Sequence, residues 1–216
     1  MQLDRGPDFK LWLFLSLLPI PVSNVIPVAV DLSDWDATKR ALADIGDVDL
    51  LVNNAGITKL EAFGEIEPET IDKIFAVNFK AAVNISQICV RSMKSRGVPG
   101  AVVNVSSQSG IAALHEHAVY CGSKAALDML TRVMALELGP YNIRVNSVNP
   151  TVTNTAMGVA VWKQYPEKAA AMKAKIPIGR FAETKEISDV VLFLLSDMAS
   201  MVTGVVLPID GGYTAV

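Results

Sequence analysis

The sequence predicts an α/β fold in which a doubly wound parallel sheet carries helices on both faces. Short apolar runs rich in β-branched residues alternate along the chain with longer segments in which apolar residues recur at helical spacing. Runs that are apolar throughout are typical of strands buried on both sides in a parallel sheet. Strict alternation of strands and helices is the pattern of such a sheet. With 216 residues and no internal repeat, the chain has the length of one domain.

Composition excludes several classes of function. Half of the residues are hydrophobic and only 19% are charged, as expected for a globular enzyme. The net charge of -3 offers no basic field for nucleic acid. Cys89 and Cys121 have neither CxxC nor metal-ligand spacing, so we expect no metal site and no disulfide framework. A reduced, cytoplasmic setting fits this pattern best.

Residues 1–24 lack the regular pattern of strands and helices that follows, and we treat them as an atypical N-terminal segment. The domain itself is predicted over 25–216. The apolar stretch 11–22 (LWLFLSLLPIPV) is too short to span a bilayer. A signal peptide would have a basic start, whereas two aspartates here cancel Arg5 and Lys10. We interpret the stretch as a buried strand or an unusual start, and a targeting segment remains the alternative. A mature N-terminus after about residue 23 would support the alternative.

The first regular elements follow from Asn24 onward. The run VIPVAVD (25–31) predicts a strand, and WDATKRALADIG predicts a helix that Ser33 or Asp34 caps and Gly46 ends. VDLLVNNAG (48–56) predicts a second buried strand that leads into a polar turn.

Two long helices flank the third predicted strand. Pro68 suits a first helical turn, and apolar residues recur at helical spacing from there to about Ser95, interrupted by Asn78. The run at 101–107 predicts a strand, and the helical pattern over 118–138 is closed by a Gly-Pro pair.

The last part of the chain repeats the alternation. The segment 142–150 predicts a strand that ends at a proline, and a polar and amphipathic segment, 151–176, follows. A helix at 184–196 and a strand at 204–210 complete the pattern.

Three side chains with proton-transfer chemistry converge at the third strand. Ser107 lies at the carboxyl end of that strand, where open α/β sheets place their ligands. Tyr120 and Lys124 are four residues apart in the next helix, so their side chains lie one turn apart on one face. A free tyrosine has a pKa near 10, and a neighbouring ammonium group is expected to lower it. Tyr-x-x-x-Lys alone is a weak signal, and its position after the Ser107 strand makes it informative.

Four motifs in this order resemble the short-chain dehydrogenase/reductase family. They are Asn53–Gly56 (NNAG), Asn104–Ser107 (NVSS), Tyr120–Lys124 (YCGSK) and Arg144–Pro150 (RVNSVNP). The resemblance extends from Asn24 to the C-terminus and is closest to the branch of L-xylulose (dicarbonyl) reductases and carbonyl reductases. It implies a Rossmann-like fold, NADP(H) as cofactor, and hydride transfer to a small ketone, dicarbonyl or sugar. The family commonly forms tetramers through two long helices, here about 68–95 and 118–138.

The resemblance also implies roles for individual residues. Tyr120 would donate a proton to the ketone oxygen, and Ser107 would polarise that oxygen. Lys124 would hold the nicotinamide ribose. Asn78 would hold a water molecule that connects Lys124 to solvent. The catalytic set is therefore Asn78, Ser107, Tyr120 and Lys124. The implied cofactor-binding residues are Asp31, Leu32, Asn53, Ala55, Gly56, Tyr120, Lys124, Pro150, Val152 and Thr155. The implied substrate-binding residues are Ser107, Gln108, His117 and Trp162.

Simpler roles remain open for four of these residues. Asn78 could make a structural hydrogen bond, because a buried amide needs a partner. Asp31 could be a helix N-terminal charge. His117 could be a solvent-facing loop residue, and Trp162 could belong to the core.

The family's Gly-rich turn, TGxxxGxG, is not found in this sequence. Gly6 is the only glycine before residue 46. We therefore expect the first βαβ unit to be missing, which removes the cradle for the cofactor pyrophosphate and puts NADP(H) binding in doubt. The run LWLFLSLL could occupy one vacant strand position. Sheet edges left open in this way also predict aggregation.

These observations leave competing hypotheses for function. The intact catalytic set favours an NADPH-dependent carbonyl reductase of the L-xylulose type. The missing turn favours a catalytically impaired isoform or paralogue that acts through subunit association. A targeted, secreted or membrane-associated reductase is a third possibility if 11–22 directs transport.

Overall fold

A computed structural model describes residues 26–155 and 162–215, which fold around a four-stranded parallel sheet. The strands lie in the order β1-β2-β3-β4. Their register aligns Leu51 with Val102 and Val102 with Val145. The strands are β1 (Leu50–Asn53), β2 (Gly100–Val105), β3 (Ile143–Pro150) and β4 (Val206–Ile209). The predicted α/β fold with a parallel sheet is confirmed.

Helices connect the strands and cover both faces of the sheet. They are α1 (Trp35–Ala41), α2 (Pro68–Phe75), α3 (Ala81–Arg96), α4 (Ala118–Leu138), α5 (Pro166–Lys173) and α6 (Thr184–Leu195). A π-helical turn, Ala76–Lys80, joins α2 to α3. The helix predicted from Pro68 to about Ser95 is therefore one continuous helical rod with an extra residue in one turn.

Successive side chains of β2 enter two different apolar layers, as the pleat of a strand requires. Val102 packs with Met93 of α3 and Leu138 of α4 on one face. Val103 packs with Leu194 of α6 on the other face. Because both faces are covered, the strand sequences are apolar without alternation.

The ends of the helices have local causes. Asp34 caps α1, since its Oδ1 accepts a hydrogen bond of 2.8 Å from the Ala37 amide. α1 ends at Ala41, five residues before Gly46, which lies instead in the loop that follows, with φ +80°. Gly97 ends α3 in the left-handed conformation that glycine adopts without strain.

The strand predicted at 25–31 is wrong for the described residues. Residues 26–31 form no strand, and Ile26 is 87% exposed. A strand needs a neighbour for its backbone groups, and no described strand pairs with this segment. Pro27 also removes one donor from the middle of the run.

The predictions for 1–24, and those for 156–161 within the segment 151–176, lie outside the described residues. Across 26–155 and 162–215, no helix is both long and apolar enough to cross a membrane.

Candidate active site

The candidate site lies where the carboxyl end of β2 meets the first two turns of α4. Ser107 follows β2 in an extended conformation, with φ -164°. Its hydroxyl accepts a hydrogen bond of 3.1 Å from the Ser109 amide and donates one of 3.0 Å to the Ser109 hydroxyl. Ser107 is therefore held at the strand end by the short turn that follows it.

Tyr120 lies beside Ser107 in a largely enclosed position. Burial raises the pKa of its phenol, and a hydrogen bond with Ser107 opposes this. The expected lowering of the Tyr120 pKa by Lys124 is therefore not found. The physical reason is that the Lys124 ammonium is itself buried, and it loses its proton before a phenol would ionise. Tyr120 is held in its protonated form at neutral pH.

Lys124 is the most enclosed cation of the site. It is 3% exposed, and its Nζ donates a hydrogen bond of 2.9 Å to the Val105 carbonyl at the end of β2. The Nζ lies 5.7 Å from the centre of the Tyr120 ring. Burial lowers its pKa to about 8, and the charge of Asp128 opposes that decrease. The ammonium is thus mostly charged at neutral pH.

Asn78 lies in the π-helical turn and fastens a loop to α4. Its amide nitrogen donates to the Ile57 carbonyl and to the Ser123 hydroxyl, both at 3.0 Å, and its oxygen accepts from the Ile57 amide at 2.8 Å. Asn78 therefore makes the structural hydrogen bonds that the sequence analysis gave as its alternative role. π-Turns are often found at functional sites.

Gly56 brings the backbone close to this pair of side chains. A β-carbon at Gly56 would lie 3.3 Å from the Lys124 Nζ and 3.6 Å from the Asn78 Oδ1. The absence of a side chain therefore lets the backbone at residue 56 pass close to the Lys124 ammonium and the Asn78 amide.

A buried polar network beneath Ser107 was missed by the sequence reasoning. The Asn149 amide donates hydrogen bonds of 2.8 Å to the Ser107 carbonyl and to Asp128 Oδ2. Ser147 donates to Asp128 Oδ1 at 2.9 Å. Burial raises the pKa of Asp128, and these donors oppose the increase. One feature of the sequence could have indicated this network: Asp128 lies four residues after Lys124, on the same face of the helix.

The residues implied to bind cofactor fall into two groups. Pro150 ends β3, and Val152 and Thr155 follow it close to the carboxyl end of the sheet. Asn53 ends β1, but its amide is engaged with Ser86 at 2.9 Å and Asn104 at 2.8 Å.

The remaining cofactor candidates lie further along the sheet edge. Ala55 and Leu32 line an apolar cavity beside β1. Asp31 is exposed, and hydrogen bonds from the Ser33 hydroxyl and amide lower the pKa of its carboxyl. Asp31 lies before α1, whose N-cap is Asp34. A role for Asp31 as a negative charge near the helix N-terminus is therefore also compatible with the structure.

The residues implied to bind substrate are not all gathered in one place. His117 precedes α4, and its ring centre lies 6.1 Å from that of Tyr120. Gln108 is 2% exposed, and its Oε1 has no hydrogen-bond partner among the described residues. Trp162 packs against Phe181, with ring centres 5.3 Å apart, in a separate apolar cluster that also contains Val152.

The described residues fit one half of a nicotinamide dinucleotide. The buried Thr151 hydroxyl, which has no partner in the described chain, lies just after β3 and suits a polar group of the nicotinamide riboside end. No glycine occurs between residue 26 and Gly46, so the described residues contain no Gly-rich turn for a pyrophosphate.

Comparison with known proteins agrees with this geometry. The family model described as Enoyl-(Acyl carrier protein) reductase matches residues 20–214. L-xylulose reductase of Homo sapiens is 55% identical over 192 residues, which cover 89% of this chain and 78% of the relative. Carbonyl reductase [NADPH] 2 of Sus scrofa is 48% identical, with the same coverage of both chains.

A solved structure extends the likeness to the fold. Gluconate 5-dehydrogenase from Burkholderia cenocepacia J2315, in complex with NADP and tartrate, superposes with a TM-score of 0.79 at 28% identity. The match covers 87% of this chain and 74% of that one. On the evidence of its sheet, its Ser-Tyr-Lys site and these relatives, the chain belongs to the short-chain dehydrogenase/reductase family.

Proposed function

We propose that this chain is an NADPH-dependent reductase of small carbonyl compounds, with a sugar ketone or dicarbonyl of the L-xylulose type as substrate. The observation that supports this most directly is a protonated Tyr120 beside Ser107, with the buried Lys124 ammonium one turn behind it. The names of the relatives at 48–55% identity support the substrate class and the cofactor.

Each residue has a defined part in the proposed reaction. Bound NADPH would supply the hydride. Ser107 donates a hydrogen bond to the carbonyl oxygen, where negative charge develops. Tyr120 delivers its phenolic proton to the same oxygen. Lys124 carries positive charge next to the phenolate that remains, and the Val105 carbonyl keeps its ammonium in position.

The pKa of Tyr120 bears on the direction of the reaction. Burial raises it, so at neutral pH the tyrosine is ready to donate a proton and rarely able to accept one. Carbonyl reduction requires the protonated phenol, and alcohol oxidation requires the phenolate. We therefore expect reduction to be the faster direction near pH 7.

A second candidate function, subunit association without catalysis, has its own supporting observation. Met129, Val133 and Leu136 form an exposed apolar stripe along α4, and they are 54%, 43% and 80% exposed. The chain would then act through association with other subunits, with this stripe as the contact surface.

Calorimetry with NADPH on the purified chain, paired with turnover of a small diketone, tests the proposal. Binding in the micromolar range with turnover is the expected result. Tyr120→Phe should leave NADPH binding measurable, because it removes only one hydroxyl from the cofactor contacts, and should lower kcat by roughly 100-fold or more, the size of a lost general acid. Tyr141→Phe, at an exposed tyrosine, is the matched control.

A folded chain that binds no NADPH up to millimolar concentrations would refute the reductase proposal and leave subunit association. Equal kcat values for Tyr120→Phe and Tyr141→Phe would instead refute the role of Tyr120, whatever the binding result.

A further inference from the structure

An apolar cavity of about 610 Å³ lies against the outer edge of β1. β1 is at the end of the strand order, and no strand within 26–155 or 162–215 pairs with its outer side. Leu50 of β1 is 55% exposed there. The cavity therefore begins where the described sheet ends.

The backbone of β1 offers hydrogen-bonding groups to this cavity. The Ala101 amide of β2 donates to the Asp49 carbonyl at 3.0 Å. Bonding groups of a strand in a parallel sheet alternate in direction, so the N–H and C=O groups of Leu50 and Val52 point away from β2. These four groups form an edge that can accept another strand.

The walls of the cavity show what kind of strand would fit. Ile85 and Cys89 of α3 line it on one face of the sheet, and Val191 and Leu195 of α6 line it on the other. These are the two apolar layers that enclose β2. A strand placed beside β1 would be covered on both faces, so all of its side chains should be apolar and uncharged.

One segment of this chain has that composition. Residues 11–18, LWLFLSLL, contain seven apolar side chains and one serine, with no charge. Eight residues in a strand span roughly 26 Å, about twice the length needed to cover the four residues of β1. Pro19 and Pro21 would end the strand, because proline donates no ladder hydrogen bond.

The connection to the described chain is long enough. Ile26, Val28 and Val30 line the cavity, so the chain enters the described structure at the cavity itself. Residues 19–25 can span at most roughly 25 Å. A segment at 11–18 can therefore reach the outer edge of β1 in either orientation.

We propose that residues 11–18 add a strand to the outer edge of β1 and fill the cavity between α3 and α6. The segment pairs with the outward groups of Leu50 and Val52 and covers the exposed side chain of Leu50. The proposal is independent of the reductase function, because it needs neither cofactor nor turnover.

Disulfide trapping against Cys89 tests the placement. Cys89 lines the cavity and is 2% exposed, and Cys121→Ser removes the other thiol. Trp12→Cys, Leu13→Cys, Phe14→Cys and Leu15→Cys are made one at a time in the full chain, with Gly6→Cys as the control outside the segment. The yield of each intramolecular disulfide is measured by peptide mass spectrometry after mild oxidation.

Trapping with a period of two is the expected result, because alternate side chains of a strand face α3. One alternate pair, 12 and 14 or 13 and 15, should give several-fold higher yields than the other pair and than Gly6→Cys. Equal yields at all four positions, or yields no higher than the control, would overturn the proposal. Disulfides between two chains would also overturn it and assign the cavity to a second copy.

Amide hydrogen exchange on the unmodified chain tests the same pairing without any cysteine variant, so misfolding of a variant cannot affect the result. The Leu50 and Val52 amides should exchange about as slowly as those of Leu51 and Asn53, which face β2. Exchange of Leu50 and Val52 at the rate of exposed amides would overturn the proposal without any substitution.

Discussion

Lys124 shows how a single buried residue combines a cost in stability with a use in chemistry. Its ammonium is almost fully enclosed and donates a hydrogen bond to the Val105 carbonyl. Desolvation makes the charged form less favourable and lowers the pKa from 10.5 to about 8. The folded state thus holds this proton less tightly than the unfolded state.

The first prediction concerns the pH dependence of stability. Between pH 8 and pH 10.5 the unfolded chain binds a proton at Lys124 that the folded chain has released, so the contribution of Lys124 to stability rises with pH across this window. The difference in the free energy of unfolding, wild type minus Lys124→Met, should rise by up to about 3 kcal/mol as the pH increases across this window. Urea unfolding at pH 7.5 and pH 10 measures the difference.

Lys175→Met, at an exposed lysine, should show no such change relative to the wild type. Parallel pH profiles for the wild type and Lys124→Met would contradict the assigned burial of the ammonium.

The second prediction concerns the network beneath Ser107. Asn149→Ala removes donors from the buried Asp128 carboxylate and from the Ser107 carbonyl. We expect a loss of about 2 to 4 kcal/mol in the free energy of unfolding, because buried charged acceptors without donors are costly. The same substitution at the half-buried Asn154, whose hydrogen bond to Glu183 is exposed to solvent, should cost less than about 1 kcal/mol. Equal losses in urea unfolding would show that the network adds no more stability than one exposed hydrogen bond.

At the scale of elements, backbone conformation separates two glycines that otherwise resemble each other. Gly97 ends α3 with φ +64°, and Gly139 follows α4 with φ -52°. An added β-carbon would meet no atom within 4 Å at either position. A difference between the two substitutions therefore reports the backbone conformation and, at Gly139, the proline that follows it.

The third prediction follows from this pair. Gly97→Ala should lower the free energy of unfolding by about 1 kcal/mol, because the left-handed conformation is strained for alanine. Gly139→Ala should change the free energy of unfolding by less than Gly97→Ala does, because the gain from restricting the unfolded chain is offset by Pro140, which disfavours a helical backbone at a preceding alanine. Thermal and urea unfolding of both variants check the signs. A stabilised Gly97→Ala would contradict the C-cap conformation of α3.

At the scale of the whole molecule, the largest exposed apolar feature of the two long helices is the stripe of Met129, Val133 and Leu136 on α4. The open edge of β1 is a second exposed apolar region of the described chain. The two regions predict different kinds of assembly: a helix face favours a defined oligomer, and an open sheet edge favours aggregation.

The fourth prediction separates these kinds of assembly. Leu136→Glu places a charge on the most exposed residue of the stripe and should convert a defined oligomer to a smaller species. Glu137→Gln, at an exposed neighbour, should leave the oligomer unchanged. Light scattering after size-exclusion chromatography measures both masses. A monomeric wild type, or an oligomer that Leu136→Glu does not change, would exclude the α4 stripe as the contact.

The sequence by itself determined the features that depend on neighbouring residues. The bounds of α4 at 118–138 were predictable from helical spacing and the closing Gly-Pro pair, and the cap at Asp34 was one of the two candidates. The positions of Ser107, Tyr120 and Lys124 at a strand end and on one helix face also follow from local periodicity.

Only the tertiary structure decided the features that depend on distant residues. VIPVAVD reads as a strand, but a strand forms only where another strand supplies hydrogen bonds. The pKa of Tyr120 rises because the fold encloses it, and the Asp128–Asn149 network joins α4 to β3 across 21 residues. Burial and pairing are properties of the packed chain, so no local pattern contains them.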